Sequence, residues 1–356
     1  MRWRMPRPDF MDFTPVWESM EKVGELIRHL LPTRPMPPAN LVVPKSIRSW
    51  QIRPYFEPDQ PKLLSLLQDH RAAAPPGWSI HPLDLQEPGD FNQGWGNREL
   101  LVLEGDGHIM AAAEVLRPDP DRPPAHHPPS WKDRAKVRWM ALDRRTPAEE
   151  TARWLESIRT WAAQNSCSSI DAFWTRSKIN CLLWGMPSPY THLRSALEAD
   201  GWQGRFQTLL MARRLDLPLG PTTPPPPGSK VVAVKDAESG WLNLEIKDAD
   251  HTTIAESQGL DCSFFTASTE AAEYGIIEWI GVAPDHRRAG AGRCLLHEQM
   301  MRMQATGKKW AILIVEESPD SENPSPRNLY QRMGFELLDL RGVFARKLRP
   351  DAPELW

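Results

Sequence analysis

The stretch Val282-Ala-Pro-Asp-His-Arg-Arg-Ala-Gly-Ala-Gly292 decides how this chain is read, because it sets a short Arg/Gly loop between an apolar strand and a helix. Upstream, Ile276-Ile-Glu-Trp-Ile-Gly-Val282 alternates and is rich in β-branched residues, the pattern of a strand. From Ala291 onward, Cys294, Leu296, Met300 and Met303 recur near helical spacing until Gly307 ends the run. Gly290 and Gly292 carry no Cβ, so the backbone can turn sharply there and admit an anion to the free N–H groups at the positive end of the helix dipole. Arg287, Arg288 and Arg293 add positive charge, and the backbone of Ala289 and Ala291 completes the loop. Strand, glycine loop and helix in this order form a cradle suited to a diphosphate.

Working outward, 356 residues suffice for two domains, and 40% hydrophobic with 25% charged residues is the balance of a soluble globular protein. A formal net charge of −3 gives no electrostatic footprint for nucleic acid or an anionic membrane. No signal core and no bilayer-length apolar run occurs in the sequence, so the expected compartment is the cytoplasm. Cys167, Cys181, Cys262 and Cys294 lack paired short spacings, so neither a metal site nor a disulfide framework is expected. Cys294 reads as a packing residue, and His126-His127 as part of a solvated proline-rich loop.

Leu219-Gly-Pro-Thr-Thr-Pro-Pro-Pro-Pro-Gly-Ser229 cannot sustain a helix or a central strand and marks a linker. The expected division is an extension at 1–46, a first domain at 47–218, the linker at 219–229 and a second domain at 230–350. In the extension, Thr14 caps a helix that Val16, Met20, Val23, Ile27 and Leu30 make amphipathic. Both domains read as the same α+β layered unit: strands, a helix, a strand, a short helix and a final strand. The repeat is clearest where Leu193-Arg-Ser-Ala-Leu-Glu-Ala-Asp-Gly-Trp202 echoes Leu329-Tyr-Gln-Arg-Met-Gly-Phe335.

Arg287-Arg-Ala-Gly-Ala-Gly292 resembles the Gln/Arg-x-x-Gly-x-Gly/Ala loop of the GNAT superfamily of acyl-CoA-dependent N-acetyltransferases. Asn323-Pro-Ser-Pro-Arg-Asn-Leu-Tyr330-Gln-Arg-Met-Gly-Phe335 resembles that family's second motif. The duplicated layout is similar to tandem-GNAT proteins, with each domain a mixed, mostly antiparallel sheet flanked by helices. The resemblance implies acetyl-CoA or another acyl-CoA as cosubstrate, no metal, and a small-molecule amine as acceptor. It further implies that the backbone of Ile280 and Val282 holds the pantetheine arm in a splay between two strands and that the Gly290/Gly292 loop binds diphosphate. Asn323 would contact the cofactor arm, and Tyr330 would protonate the leaving thiolate. Glu278, on one strand face with Ile280 and Val282 if the alternation holds, is the candidate base. A GNAT-like acyl-thioester decarboxylase and a non-catalytic acyl-CoA-binding module are the alternative readings.

Two departures from the family pattern shape the expectation. About 50 residues separate Lys230 from Val282, too few for the two helices that usually precede the central strands. The acceptor pocket is then left open or is finished by the first domain. In that domain, Asp143-Arg-Arg-Thr-Pro-Ala-Glu-Glu-Thr151 stands where the glycine loop should be, and Leu197 stands in the place of Tyr330. One acyl-CoA per chain, in the second domain, is therefore expected.

Overall fold

Two helix–strand pairs repeat along the chain, and the strand that ends each half lies in the sheet of the other. The computed structural model describes residues 49–85, 94–121, 132–234, 240–316, 326–352 and 355. The extension helix and the His126-His127 loop lie outside these residues. The first half contributes β1 (Trp50–Pro54), α1 (Gln60–Arg71), β2 (Trp95–Gly105), β3 (His108–Pro118), β4 (Arg134–Leu142), α2 (Ala148–Gln164), β5 (Ser169–Ala172), the two-residue β6 (Met186–Pro187), α3 (Thr191–Ala199) and β7 (Gln203–Arg214). The second contributes β8 (Lys230–Val234), β9 (Trp241–Lys247), β10 (Thr253–Asp261), β11 (Tyr274–Val282), α4 (Ala291–Ala305), β12 (Trp310–Glu316), α5 (Arg327–Arg332) and β13 (Glu336–Lys347).

Among the described residues all strands join one sheet in the order β1-β2-β3-β4-β5-β13-β7-β12-β11-β10-β9-β8, with β6 beside β13. Every adjacent pair is antiparallel except β4/β5 and β11/β12, which are parallel. Each parallel pair is bridged by a helix, α2 or α4, as a crossover connection requires. β7 then runs beside β12 and β13 beside β5, while β7 and β13 pair with each other from Glu336↔Ala212 to Ala345↔Gln203. The halves have thus exchanged their last strands.

Burial explains which faces are covered. All nine residues of β4 are buried, so this strand is covered on both sides. On α2, Trp154, Leu155, Ile158, Trp161 and Ala162 recur at helical spacing and pack with Val137, Ile170 and Phe344. Leu63, Leu66 and Leu67 of α1 cover the opposite face of the first half, against Val102, Ala112 and Trp139. In the second half α4 covers one face through Leu296, Met300 and Met303. No α-helix precedes β11 in this half among the described residues. Its other face is closed instead by Trp78, Cys181, Leu182 and Leu183 of the first half, packed on Leu210, Ile276 and Ile312. Asp84 of the first half fixes this closure by accepting from the Thr266 hydroxyl at 2.9 Å and the Ala267 N–H at 3.0 Å.

The exchange predicts that fragments 48–218 and 230–355 are interdependent. Neither should be a folded monomer when produced alone, because each loses the strand that covers the edge of its own parallel pair. Produced together they should co-elute as a one-to-one complex with a single cooperative unfolding transition. A stable folded monomer of either fragment, seen by size-exclusion chromatography and circular dichroism, would contradict the topology.

Candidate active site

The parallel pairing of β11 with β12 runs from Tyr274↔Trp310 to Ile277↔Leu313 and then stops. Both strands continue, β11 to Val282 along β10 and β12 to Glu316 along β7. They therefore splay, and the backbone of residues 278–282 is left without a ladder partner on its β12 side. The register against β10 shifts here: Trp279 faces Gln258 and Ile277 faces Gly259, so Glu278 is an extra, bulged residue.

The bulge breaks the alternation that would place Glu278 on the face of Ile280 and Val282. Ile277 and Ile280 pack in the core against α4, and Val282 packs near its first turn. Ile276 lies in the core of the opposite face. Glu278 turns to that opposite face and forms an ion pair with Arg176, from the first-half loop that covers it.

Beyond β11 a short 3-10 turn, Pro284–His286, leads into the Arg/Gly loop. Arg288 has φ +65° and Gly290, which caps α4, has φ +90°; both lie in the left-handed region that glycine adopts without strain. The Cys294 N–H closes the first helical turn on the Gly290 carbonyl at 2.9 Å. From Arg288 to Arg293 no backbone N–H finds an acceptor among the described residues. Arg287, Arg288 and Arg293 are exposed, and the Arg287 Nε donates to the Val282 carbonyl at 3.3 Å. None of the three has a carboxylate partner among the described residues. A ring of unpartnered N–H groups and free guanidinium charge fits a diphosphate.

Tyr330 lies on α5, its ring edge-on to Phe335 at 5.9 Å. Burial pushes its phenol up to about 12. The neighbouring Leu329 approaches Gly292, which sets α5 beside the start of α4. Asn323 falls outside the described residues. Cys294 is buried, as are the other three cysteines, and burial pushes its thiol up, so it packs as a neutral side chain. No cluster of three or more His, Cys, Asp or Glu suited to a metal ion occurs among the described residues.

At the wide end of the splay Trp174, Trp184, Arg205, Thr208, Glu316 and Val343 line a cleft. Trp174 and Trp184 stack in parallel with centroids 5.8 Å apart, and Glu316 offsets part of the cost of burying the Arg205 guanidinium. These residues and Arg176 went unmarked in the sequence. They come from strand ends and from a loop of the other half, and no local spacing joins them to the glycine motif.

The first half repeats this geometry with its openings filled. Its parallel pair ends at Val137↔Ala172, and β4 carries the same bulge, with Arg138 in the place of Glu278. Arg138 pairs with buried Glu114 at 3.4 Å. The Arg138 carbonyl accepts from the Asn180 side chain at 3.3 Å. His192 meets the Leu142 carbonyl at 2.7 Å. Glu149 and Glu150 occupy the first turn of α2. The Trp202 N–H bonds the Leu197 carbonyl as the Phe335 N–H bonds that of Tyr330, both at 3.0 Å, so Leu197 does stand in the tyrosine's place.

Residues 248–337 match the profile of a family described as an acetyltransferase (GNAT) domain. No curated protein matches the sequence. Among solved structures, a GCN5-related N-acetyltransferase from Sphaerobacter thermophilus is similar at TM-score 0.60 and 16% identity, over 85% of this chain and 96% of that one. A tandem GNAT protein from the clavulanic acid biosynthesis pathway is similar at TM-score 0.61 and 13% identity, over 85% of this chain and all of that one (100%). The match to a GNAT acetyltransferase domain is thus confined to residues 248–337, and the chain shares its overall fold with these two structures. No helix among the described residues is long and apolar enough to cross a membrane.

Gly292→Glu tests the cradle without straining it. A Cβ at Gly292 meets only ordinary contacts, 3.5 Å to Val282 and 3.8 Å to Leu329. An acidic residue in the first turn also suits the helix dipole, so the thermal midpoint should hardly move. Calorimetric titration with CoA should nonetheless show affinity reduced at least tenfold, roughly, because the carboxylate occupies and repels at the anion position. Unchanged CoA affinity would remove the cradle from the site.

Proposed function

We propose that this protein is an acyl-CoA-dependent N-acyltransferase, most simply of acetyl-CoA, that transfers the acyl group directly to the amine of a small molecule. The observation that carries this reading is the continuity of one strand: β11 bears an unpaired backbone edge, ends in an open anion cradle, and carries a carboxylate at its bulge on the opposite face. Diphosphate would be held by the loop Arg287, Arg288, Ala289, Gly290, Ala291, Gly292 and Arg293, with Asn323 contacting the arm. The backbone of Ile280 and Val282 would hold the pantetheine amides. The proposed division of the chain is 47–218 and 230–350, joined at 219–229.

The chemistry asks little more of the protein than placement. A primary amine with a pKa of about 10 is protonated at neutral pH and cannot attack until it loses a proton. Glu278, reaching the face away from the cradle, is placed to take that proton directly or through water. The acyl-CoA would enter from the α4 side and the amine from the side covered by the first half, so the reactants meet across the splay. Free backbone N–H groups there would polarise the thioester carbonyl as charge develops. Tyr330, its phenol held at about 12, stays protonated throughout the working range and donates a hydrogen bond to the leaving sulfur.

The first half is read as a degenerate copy. Its β4 carbonyls are already bonded, its helix start carries carboxylates where diphosphate would need cations, and it lacks the tyrosine. One acyl-CoA per chain and a role in closing the acceptor side follow.

Tyr330→Phe keeps the packing ring and removes only the donor. Turnover should fall by about tenfold to a hundredfold while the dissociation constant for acetyl-CoA stays unchanged, because the bond matters as the thiolate leaves. With burial holding the phenol near 12, the native kcat profile should show no alkaline loss from Tyr330 below about pH 10. A phenylalanine variant with native turnover, under conditions where chemistry limits the rate, would return Tyr330 to a packing role.

A further inference from the structure

The loop after β5 does more than cover the second half. Cys181, Leu182 and Leu183 anchor it in the core with Ile276 and Ile312, and a few residues earlier it presents Arg176 to Glu278. Both side chains are 22% exposed, open enough to be reached from solvent and too dry to sit unpaired at no cost. Among the described residues Arg176 has no other ion-pair partner. Two residues before it, Trp174 lines the cleft at the end of β12 together with Arg205 and Glu316.

We propose that the acceptor is an amino acid or a close analogue, with an amine and a carboxylate one or two carbons apart, and that Arg176 is the residue that selects it. The inference rests on the reading of Glu278 as the group that meets the amine. To reach Glu278, an ammonium must displace Arg176. A simple amine would then leave the Arg176 guanidinium without a counter-ion in a site that shields most of its surface, a cost that sets such acceptors apart. An acceptor that also carries a carboxylate offers Arg176 a replacement partner, bidentate to its planar fork. One ion pair is exchanged for two. The exchange also draws the guanidinium off Glu278 and leaves the carboxylate's lone pairs to the ammonium.

The ammonium loses two protons in the reaction, one to Glu278 and on to water, the other to the thiolate of CoA. The amine lone pair forms the C–N bond to the thioester carbonyl carbon, the C–S bond breaks, and the products are an N-acyl amino acid and CoA thiol. The product no longer carries a cation for Glu278. Arg176 can return to its original partner, which favours release.

The test uses the intact chain, acetyl-CoA and matched acceptors with and without the carboxylate: ornithine and putrescine, phenylalanine and phenethylamine, β-alanine and ethylamine. In the native protein, thiol release should favour the carboxylated member of a pair by at least tenfold, roughly, in kcat/KM. Arg176→Gln should abolish that preference by raising KM for the amino acid, and Arg176→Lys should restore part of it, while CoA affinity by calorimetry stays native in both. Equal or better use of the decarboxylated amines, or an equal loss from both members of a pair in Arg176→Gln, would overturn the inference while leaving acyl transfer to amines intact. CoA binding with no thiol release from either set would overturn the acyltransferase reading and this inference with it. A native preference that survives Glu278→Gln with unchanged turnover would overturn the inference, because the ammonium would then have no need to displace Arg176 from Glu278.

Discussion

The pairing of β7 with β13 at the centre of the sheet is the constraint on which the remaining architecture rests. Each strand belongs by sequence to one half and by its second neighbour to the other, so the halves cannot separate without breaking the antiparallel ladders of β13 with β5, β6 and β7 and of β7 with β12. Leu209 and Met211 of β7 face the core beneath α4, and Leu210 and Ala212 face the core built from the loops of the first half. One strand thus ties the two faces of the second half to the same backbone. That is why a half with no α-helix before β11 among the described residues still has both faces buried.

Duplication followed by divergence is visible at single residues. The bulge occurs in both halves, at Arg138 and at Glu278, and each parallel pair ends immediately before it. A splay is therefore a property of the fold, and binding depends on what the chain does with the freed groups. In the first half Asn180 and His192 meet the Arg138 and Leu142 carbonyls of β4, and buried Glu114 neutralises Arg138. In the second half the Val282 carbonyl takes the loop's own Arg287 Nε, and the helix start carries guanidinium groups in place of carboxylates. The same segment that meets the first splay at Asn180 continues across the second half and delivers Arg176 to Glu278.

Much of this was legible in the sequence because it is encoded locally. The strand, the Arg/Gly loop and the helix after it are contiguous, and glycine at φ +90° has a direct signature. The helix-ending Gly201 and Gly334, followed by aromatics, exposed the internal repeat. What could not be read was set by long-range register. The strand exchange depends on which edge β7 and β13 meet, and nothing in their apolar patterns names the partner. The bulge at Glu278 is a one-residue mismatch with β10, invisible in the sequence of β11 alone, and it reversed the face assigned to Glu278. Arg176 lies about 100 residues from its partner, in a loop without periodicity.

In the proposed function, acyl-CoA engages one edge of one half. Hydrogen–deuterium exchange on the intact chain, with and without saturating CoA, tests it at the level of individual segments. Protection should appear at residues 278–282 and 288–294 and be absent from 138–142 and 145–151. Equal protection of both sets would contradict the asymmetry, and protection of the second set alone would reverse it.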